Sequence, residues 1–221
     1  MMLDELPEPD DLRQTVARLA EMGDPRKEAP TIVGRPTDSK KFLRSYALVD
    51  IETGNAVGTK TRFKVRWEDE GAVIFEIKCD EPDMKNLFVT DDVWTGDSIA
   101  IQLETQGHAY YQIEVNPDGK IFDADRHGRM NQRWKSNATV ETERGADFWS
   151  VVVRIPVVDA EEGAADPNHH VVGAKPGMDS PWYMNVGRSR VRPSGKTSWS
   201  FPHTGKRSYH VPERFAKMVI E

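Results

Sequence analysis

The clearest pattern in this chain is a two-residue alternation running from residue 97 to residue 116. Ile99, Ile101 and Leu103 fall on one face, with Ser98, Ala100, Gln102 and Glu104 on the other. Thr105-Gln106-Gly107 is turn material, after which Tyr111, Ile113 and Val115 resume the apolar face. Tyr110, Gln112, Glu114 and Asn116 then lie opposite, and Asn116-Pro117-Asp118-Gly119 closes the stretch. The pattern predicts an antiparallel hairpin. One side is core; the other is a row of hydrogen-bonding groups with Trp94 at its mouth.

Short alternating runs recur around it. Phe63, Val65 and Trp67 alternate, Glu68-Asp69-Glu70-Gly71 turns, and Val73, Phe75, Ile77 and Cys79 alternate back. Residues 134–143 and 148–155 predict another antiparallel pair turning at 144–147, and residues 46–49, 182–191, 197–201 and 215–221 read as further strands. Residues 125–133 and the long Gly-, Pro- and Asp-rich segment 157–181 read as loops, and loops of the latter length are usually functional or mobile. Helical periodicity is convincing only over 10–22, where Leu12, Val16 and Leu19 form a stripe, Asp10 or Asp11 can cap and Gly23 suits the C-terminus. The expected fold is therefore all-β: an antiparallel sandwich, immunoglobulin-like or jelly-roll-like, of about ten strands. Residues 1–30 would hold the N-terminal helix and a linker, and residues 31–221 the sandwich.

Composition narrows the function classes. The single cysteine, Cys79, excludes an internal disulfide framework and sits in phase with core positions. A net charge of −6 with interspersed signs argues against a nucleic-acid surface. No apolar run reaches the length of a membrane span, and the acidic start lacks the apolar region of a signal peptide.

Six tryptophans raise the question of carbohydrate, since flat aromatic faces pack on sugar C–H groups while planar polar side chains pair with hydroxyls. Trp67, Trp149, Trp182 and Trp199 lie in phase with core positions, and Trp134 could go either way. Trp94 differs, standing in a loop beside Thr95, Gly96 and Asp97. Here the chain resembles a known family. V-W-T-G-D-S-I-A-I-Q-L-E (93–104) followed by Y-Y-Q-I-E-V-N-P-D-G (110–119) is similar to the central hairpin of the family 9 carbohydrate-binding modules and their DOMON-like relatives. W-S-V-V-V-R-I-P (149–156), W-Y-M-N-V-G-R (182–188), S-W-S (198–200) and H-V-P-E-R-F (210–215) follow in the family's order, so the likeness covers roughly residues 60 to 221.

The resemblance implies a non-catalytic module that binds a mono- or oligosaccharide between two rings, at positions matching Trp94 and Tyr209. It places polar partners at Gln112, Glu114 and Asn116. The chain departs from the family in having Ala100 where a carboxylate is common, Glu114 in place of arginine, and Tyr209 in place of tryptophan. Arg188, Lys206 and Arg207 could supply cations instead, which would suit an acidic sugar. The resemblance also implies a secreted or periplasmic setting, with neighbouring domains of a longer polysaccharide-processing parent chain.

Other readings stay open. The chain could be a structural interaction domain that has lost its sugar, with Glu114 merely pairing with Arg154. It could be a glycosidase using Glu104 and Glu114, which would need to stand about 5–9.5 Å apart. Ser98 lacks a nucleophile elbow, and His169-His170 point to opposite sides of an extended chain. Asp159, Glu161, Glu162 and Asp166 nearby could form an oxygen-rich calcium loop, and some members of the family bind calcium (Ca2+).

Overall fold

The computed structural model describes residue 26, residues 28–106 and residues 108–221. The helix expected over 10–22 lies outside the described residues. Fourteen strands join into one sheet. In chain order they are β1 (Thr31–Pro36), β2 (Tyr46–Ala47), β3 (Val49–Asp50), β4 (Thr61–Glu68), β5 (Ala72–Asp80), β6 (Ser98–Glu104) and β7 (Tyr111–Val115). There follow β8 (Ile121–Asp125), β9 (Thr139–Arg144), β10 (Phe148–Val158), β11 (Val171–Val172), β12 (Trp182–Arg192), β13 (Gly195–Phe201) and β14 (Ala216–Ile220), with a short helix α1 (Ala160–Ala165) before β11.

The hydrogen-bonded order is β11-β10-β5-β4-β1-β14-β12-β6-β7-β8, with β9 on β10, β2 on β4, and β13 between β12 and β3. Most pairs are antiparallel, but β1 runs parallel to both β14 and β4, and β11 runs parallel to β10. The sheet is therefore mixed, not purely antiparallel, and it is a single curled sheet with more strands than expected. Strand β1 explains the curl. Residues 31–34 pair with β14, while Arg35 and Pro36 pair with β4, so one strand serves both halves. At this crossover Gly34 leaves no room for a side chain: a Cβ would lie 2.5 Å from Ile220 Cδ1. The chain at 46–50 divides in the same way, β2 joining β4 and β3 joining β13. That is why the run expected as one strand is two.

The core lies between the halves. Phe63, Val65, Trp67, Val73, Phe75 and Ile77 come from one, and Ile99, Ile101, Leu103, Ile113, Met184 and Val186 from the other. Trp67 meets Trp182 edge-on across the gap at 5.9 Å. All four tryptophans expected in the core are buried; so are Trp134 and Cys79. Burial on this scale, at about 25 cal/mol per Å² of apolar surface, drives the closure.

The far end of the core is ionic. On β12 the inward positions change from Trp182, Met184 and Val186 to Arg188, Arg190 and Arg192. All three arginines reach the buried Glu81, from Arg188 Nη2 at 2.9 Å and from Arg190 Nε at 2.8 Å, with Arg192 also on Glu81. Arg192 reaches Asp97 as well, at 2.6 Å.

The long segment 157–181 is not a loose loop. Asp159 caps α1 through the N–H groups of Glu161 and Glu162, β11 pairs with β10, and Gln106 ties the remainder through Trp182 Nε1, Ala174 N and the Ser180 carbonyl.

Candidate functional site

The outward face of the expected hairpin is only partly open. Ser98, Ala100 and Gln102 are as buried as their apolar neighbours, because the segment after β13 folds back over this face. Asn185 Nδ2 donates to the Pro202 carbonyl, and the Tyr209 ring lies directly on Gly187, which register places opposite Ala100. Beside this cover is a cavity of about 780 Å³. Such a volume falls within the usual range for small-ligand sites.

Its floor comes from β7. Glu114 stands opposite Ala100 on β6 and opposite Phe122 on β8. Glu114 Oε1 accepts the Ser98 hydroxyl at 2.7 Å, and Oε2 accepts the Gln112 amide at 3.2 Å. Gln112 Oε1 in turn accepts Arg126 Nε–H at 2.8 Å. The Arg126 Nη2 group donates to His210 Nε2 at 3.2 Å, so the imidazole carries its proton on Nδ1, 3.0 Å from the Tyr110 hydroxyl. Burial, with the Arg126 charge beside it, pushes His210 down to about 4, so the ring is neutral at physiological pH. Burial lifts the Glu114 carboxyl above its ordinary range, against the bonds from Ser98 and Gln112 and the charges of Lys196 and Arg126.

The walls are aromatic. Trp94 sits in a short 3-10 turn (Val93–Thr95) anchored by the buried Val93 and by Thr95 Oγ1, which donates to the Asp92 carbonyl. Its ring is 41% exposed and meets Phe122 edge-on, with centroids 4.3 Å apart. Lys196 Nζ donates to the Trp94 carbonyl at 3.2 Å. Tyr209 lines the cavity from the other side, with its hydroxyl 3.3 Å from Ser189 Oγ and pushed up to about 12 by burial. Thr197, Ser198 and Ser208 add hydroxyls, and Met130 and Gln132 add a further wall. The lining carries as many carboxylates (Asp50, Glu52, Glu114) as cations (Arg126, Lys196, Arg207). Arg207 is paired with Glu52 at 2.7 Å.

Five sequence-predicted residues thus share one cavity: Trp94, Gln112, Glu114, Tyr209 and Arg207. Three others are elsewhere. Arg188 is fully buried in the ionic end of the core, bonded to Thr61, Glu81 and the Asp80 carbonyl. Asn116 is used by its own turn, accepting from Asp118 N and Lys120 N and donating to the Thr90 carbonyl. Lys206 is out on the surface, 4.0 Å from Glu213. Phe122, Arg126, Lys196 and His210 were missed. Phe122 would have been found had 121–125 been read as a strand, since register then sets it opposite Glu114.

The competing chemistry finds little geometry. Arg154 pairs with Glu68, not with Glu114. With Ala100 opposite Glu114, Glu104 lies four residues farther along β6, about 13 Å away at strand rise, and it pairs with Arg26. That separation exceeds what two glycosidase carboxylates use. Ser98 is buried and donates to Glu114. Asp159 is occupied as a helix cap and Asp166 pairs with His169. Among the described residues no group of three or more His, Cys, Asp or Glu side chains is arranged to hold a metal, and no helix is long and apolar enough to cross a membrane.

No protein-family model and no curated protein matches the chain. Solved structures do. A protein of Bacteroides uniformis thought to bind carbohydrate is similar at TM-score 0.66 and 13% identity, over 87% of this chain and all (100%) of that one. A family 9 carbohydrate-binding module from Caldicellulosiruptor kristjanssonii, solved with cellotriose, is similar at TM-score 0.59 and 12% identity, over 86% of this chain and 93% of that one. A family 9 module from the same organism, solved with glucose, gives TM-score 0.58 and 11% identity, over 87% and 96%. The chain has the fold of the family 9 carbohydrate-binding modules.

Proposed function

We propose that this protein binds carbohydrate without catalysing a reaction, as an accessory module of an exported polysaccharide-processing protein. The observation that carries the reading is the meeting, in one cavity, of an open tryptophan face and a carboxylate floor. A pyranose ring offers C–H groups to Trp94 and hydroxyls to Glu114. Each Glu114 oxygen already takes one neutral donor and retains a lone pair, so the floor can accept two sugar hydroxyls. The lining is balanced in charge and rich in hydroxyls, which suits a neutral ring on the floor. The fold neighbours solved with cellotriose and glucose support the same reading.

One observation favours a second reading, a structural interaction domain that no longer holds sugar. Tyr209 is wedged on Gly187 and bonded to Ser189, so it is a fixed part of the wall and not a free second ring. Glycan-array binding, followed by calorimetric titration of the hits and of Trp94→Ala, separates the two. Binding that is lost with Trp94 supports the proposal. A protein that binds no glycan is an interaction domain. Sugar release that disappears in Glu114→Gln would make it an enzyme.

A further inference from the structure

We infer that the glycan recognised here is acidic: a neutral ring sits on the Glu114 floor, and a uronic-acid neighbour lies against segment 126–133 at the cavity mouth. This rests on the carbohydrate-binding reading above and adds the chemical class of the ligand.

Segment 126–133 leaves the sheet at the end of β8 and turns back at once. Asp125 and Asn131 exchange backbone hydrogen bonds of 3.1 and 2.8 Å, so residues 126–130 form a tight projection. Arg126, Met130 and Gln132 of this segment line the cavity. Its formal charges are Arg126, Arg129 and Arg133, with no carboxylate between them. The acid that precedes them, Asp125, is turned away: it accepts His108 Nε2 and the His127 N–H, each at 2.8 Å. Arg129 and Arg133 are exposed and, among the described residues, have no ion-pair partner. Of the other cations lining the cavity, Arg207 is paired with Glu52, whereas Lys196 donates only to the Trp94 carbonyl and, among the described residues, has no ion-pair partner, so it adds to the positive charge. In a chain of net charge −6, uncompensated arginines beside the ligand cavity form a local positive field.

The floor sets where an acidic group could go. Glu114 is buried and only 4% exposed, so a ligand carboxylate placed on it would put like charges together in a desolvated site. The same carboxylate one sugar outward would face Arg126, which lines the cavity, and the segment that carries Arg129 and Arg133; guanidinium groups bind carboxylates through planar paired hydrogen bonds. Exposed ion pairs are each weak, so two or three together give about a tenfold preference at low salt. Screening over about 10 Å at 0.1 M salt makes that preference fade as salt rises.

The test is an array in which each uronic-acid-bearing oligosaccharide is printed beside its carboxyl-reduced, neutral counterpart. The intact protein is expected to bind acidic members about tenfold more strongly within matched pairs. The ratio should collapse toward one in 0.5 M sodium chloride, and in Arg129→Glu/Arg133→Glu. Both positions are exposed, so that variant should melt with the parent, which thermal unfolding checks. Binding with equal or greater strength to the neutral members overturns this inference while leaving carbohydrate binding intact. A salt-insensitive preference for the acidic members also overturns it, since the arginines would not be its cause. Failure to bind any member in either form removes the carbohydrate reading, and this inference with it.

Discussion

Arg126 donates its Nε–H to Gln112 Oε1 at 2.8 Å, and this one bond fixes the direction of the Gln112 amide. With its oxygen facing the guanidinium, Gln112 must turn its NH2 toward Glu114 Oε2. A residue on the rim therefore sets the acceptor geometry of the floor.

Arg126→Met should consequently weaken ligand binding without contacting the sugar ring. The Gln112 amide becomes free to flip, and in the flipped state an oxygen faces the carboxylate. Loss of one such hydrogen bond is worth about 0.5–1.5 kcal/mol, or roughly twofold to twelvefold in affinity. Titration of the variant checks this, and the thermal melt should barely move because Arg126 is only partly buried. A second substitution, Gln112→Glu, should be harsher, since it sets a second carboxylate beside Glu114.

Trp94 and Trp182 should respond in opposite ways to truncation. Trp94 is 41% exposed, so Trp94→Ala should remove most of the affinity while costing little stability. Trp182 is fully buried, and Trp182→Ala should cost about 3–5 kcal/mol of unfolding free energy. One denaturation curve and one titration on each variant decide the matter. A large loss of stability in Trp94→Ala would place that ring in the core and end its role as a binding face.

Gly187→Ala should displace Tyr209. The added Cβ would lie 2.3 Å from Tyr209 Cε1, well inside contact distance. Overpacking of this kind costs about 1–3 kcal/mol. Removing the ring should remove the clash, so Gly187→Ala/Tyr209→Ala should be less destabilised than the sum of its single variants. Additive costs would show that the two residues are independent.

Acidification should act on Glu114 and Glu81 in opposite directions. Burial holds the Glu114 carboxyl high, so its ionised form costs stability at neutral pH, and that cost shrinks as pH falls from the raised value toward the ordinary unfolded one. Sugar hydroxyls need the ionised acceptor, so affinity should weaken over the same interval. Burial also works against ionised Glu81, but the Arg190 bond, the Asp83 N–H and the Arg192 charge outweigh it and hold the carboxyl low. Its contribution is present above the unfolded carboxylate value and is lost as pH falls through the lower, folded one. Glu114→Gln should therefore raise the melting temperature at neutral pH and abolish the acid dependence of binding. Glu81→Gln should cost about 3–5 kcal/mol, because it leaves buried arginines unpaired. Affinity that stays flat as the medium is acidified would remove Glu114 from the ligand contacts.

What the sequence disclosed follows from the period of two. Strands with one buried face, such as β4, β5 and β10, announced themselves, and so did the core tryptophans. Strand β1 escaped because T-I-V-G-R-P has no alternation: its 32–34 stretch is buried on both faces where it crosses between the halves. The site was legible where residues share a hairpin, as Gln112 and Glu114 do, or where a loop tryptophan stands out. Arg188 was misplaced because a charged residue on a strand suggests an outward position. Here its partner Glu81 lies more than a hundred positions away in sequence (|i−j| = 107), a distance no local pattern can report.

The three arginines of β12 also work as a ruler. A strand of period two can slide by two residues and still present the same faces, so apolar alternation alone does not fix its alignment. Such a slip along β6 and β14 would drive Arg188 toward the oily half of the interior and strand Glu81 among fewer counter-charges. Alignment of this strand is therefore keyed by charge at one end and by side-chain volume at the other. The key extends to the ligand cavity, because Gly187 and Ser189, the two positions that seat Tyr209, flank the first arginine tooth, Arg188.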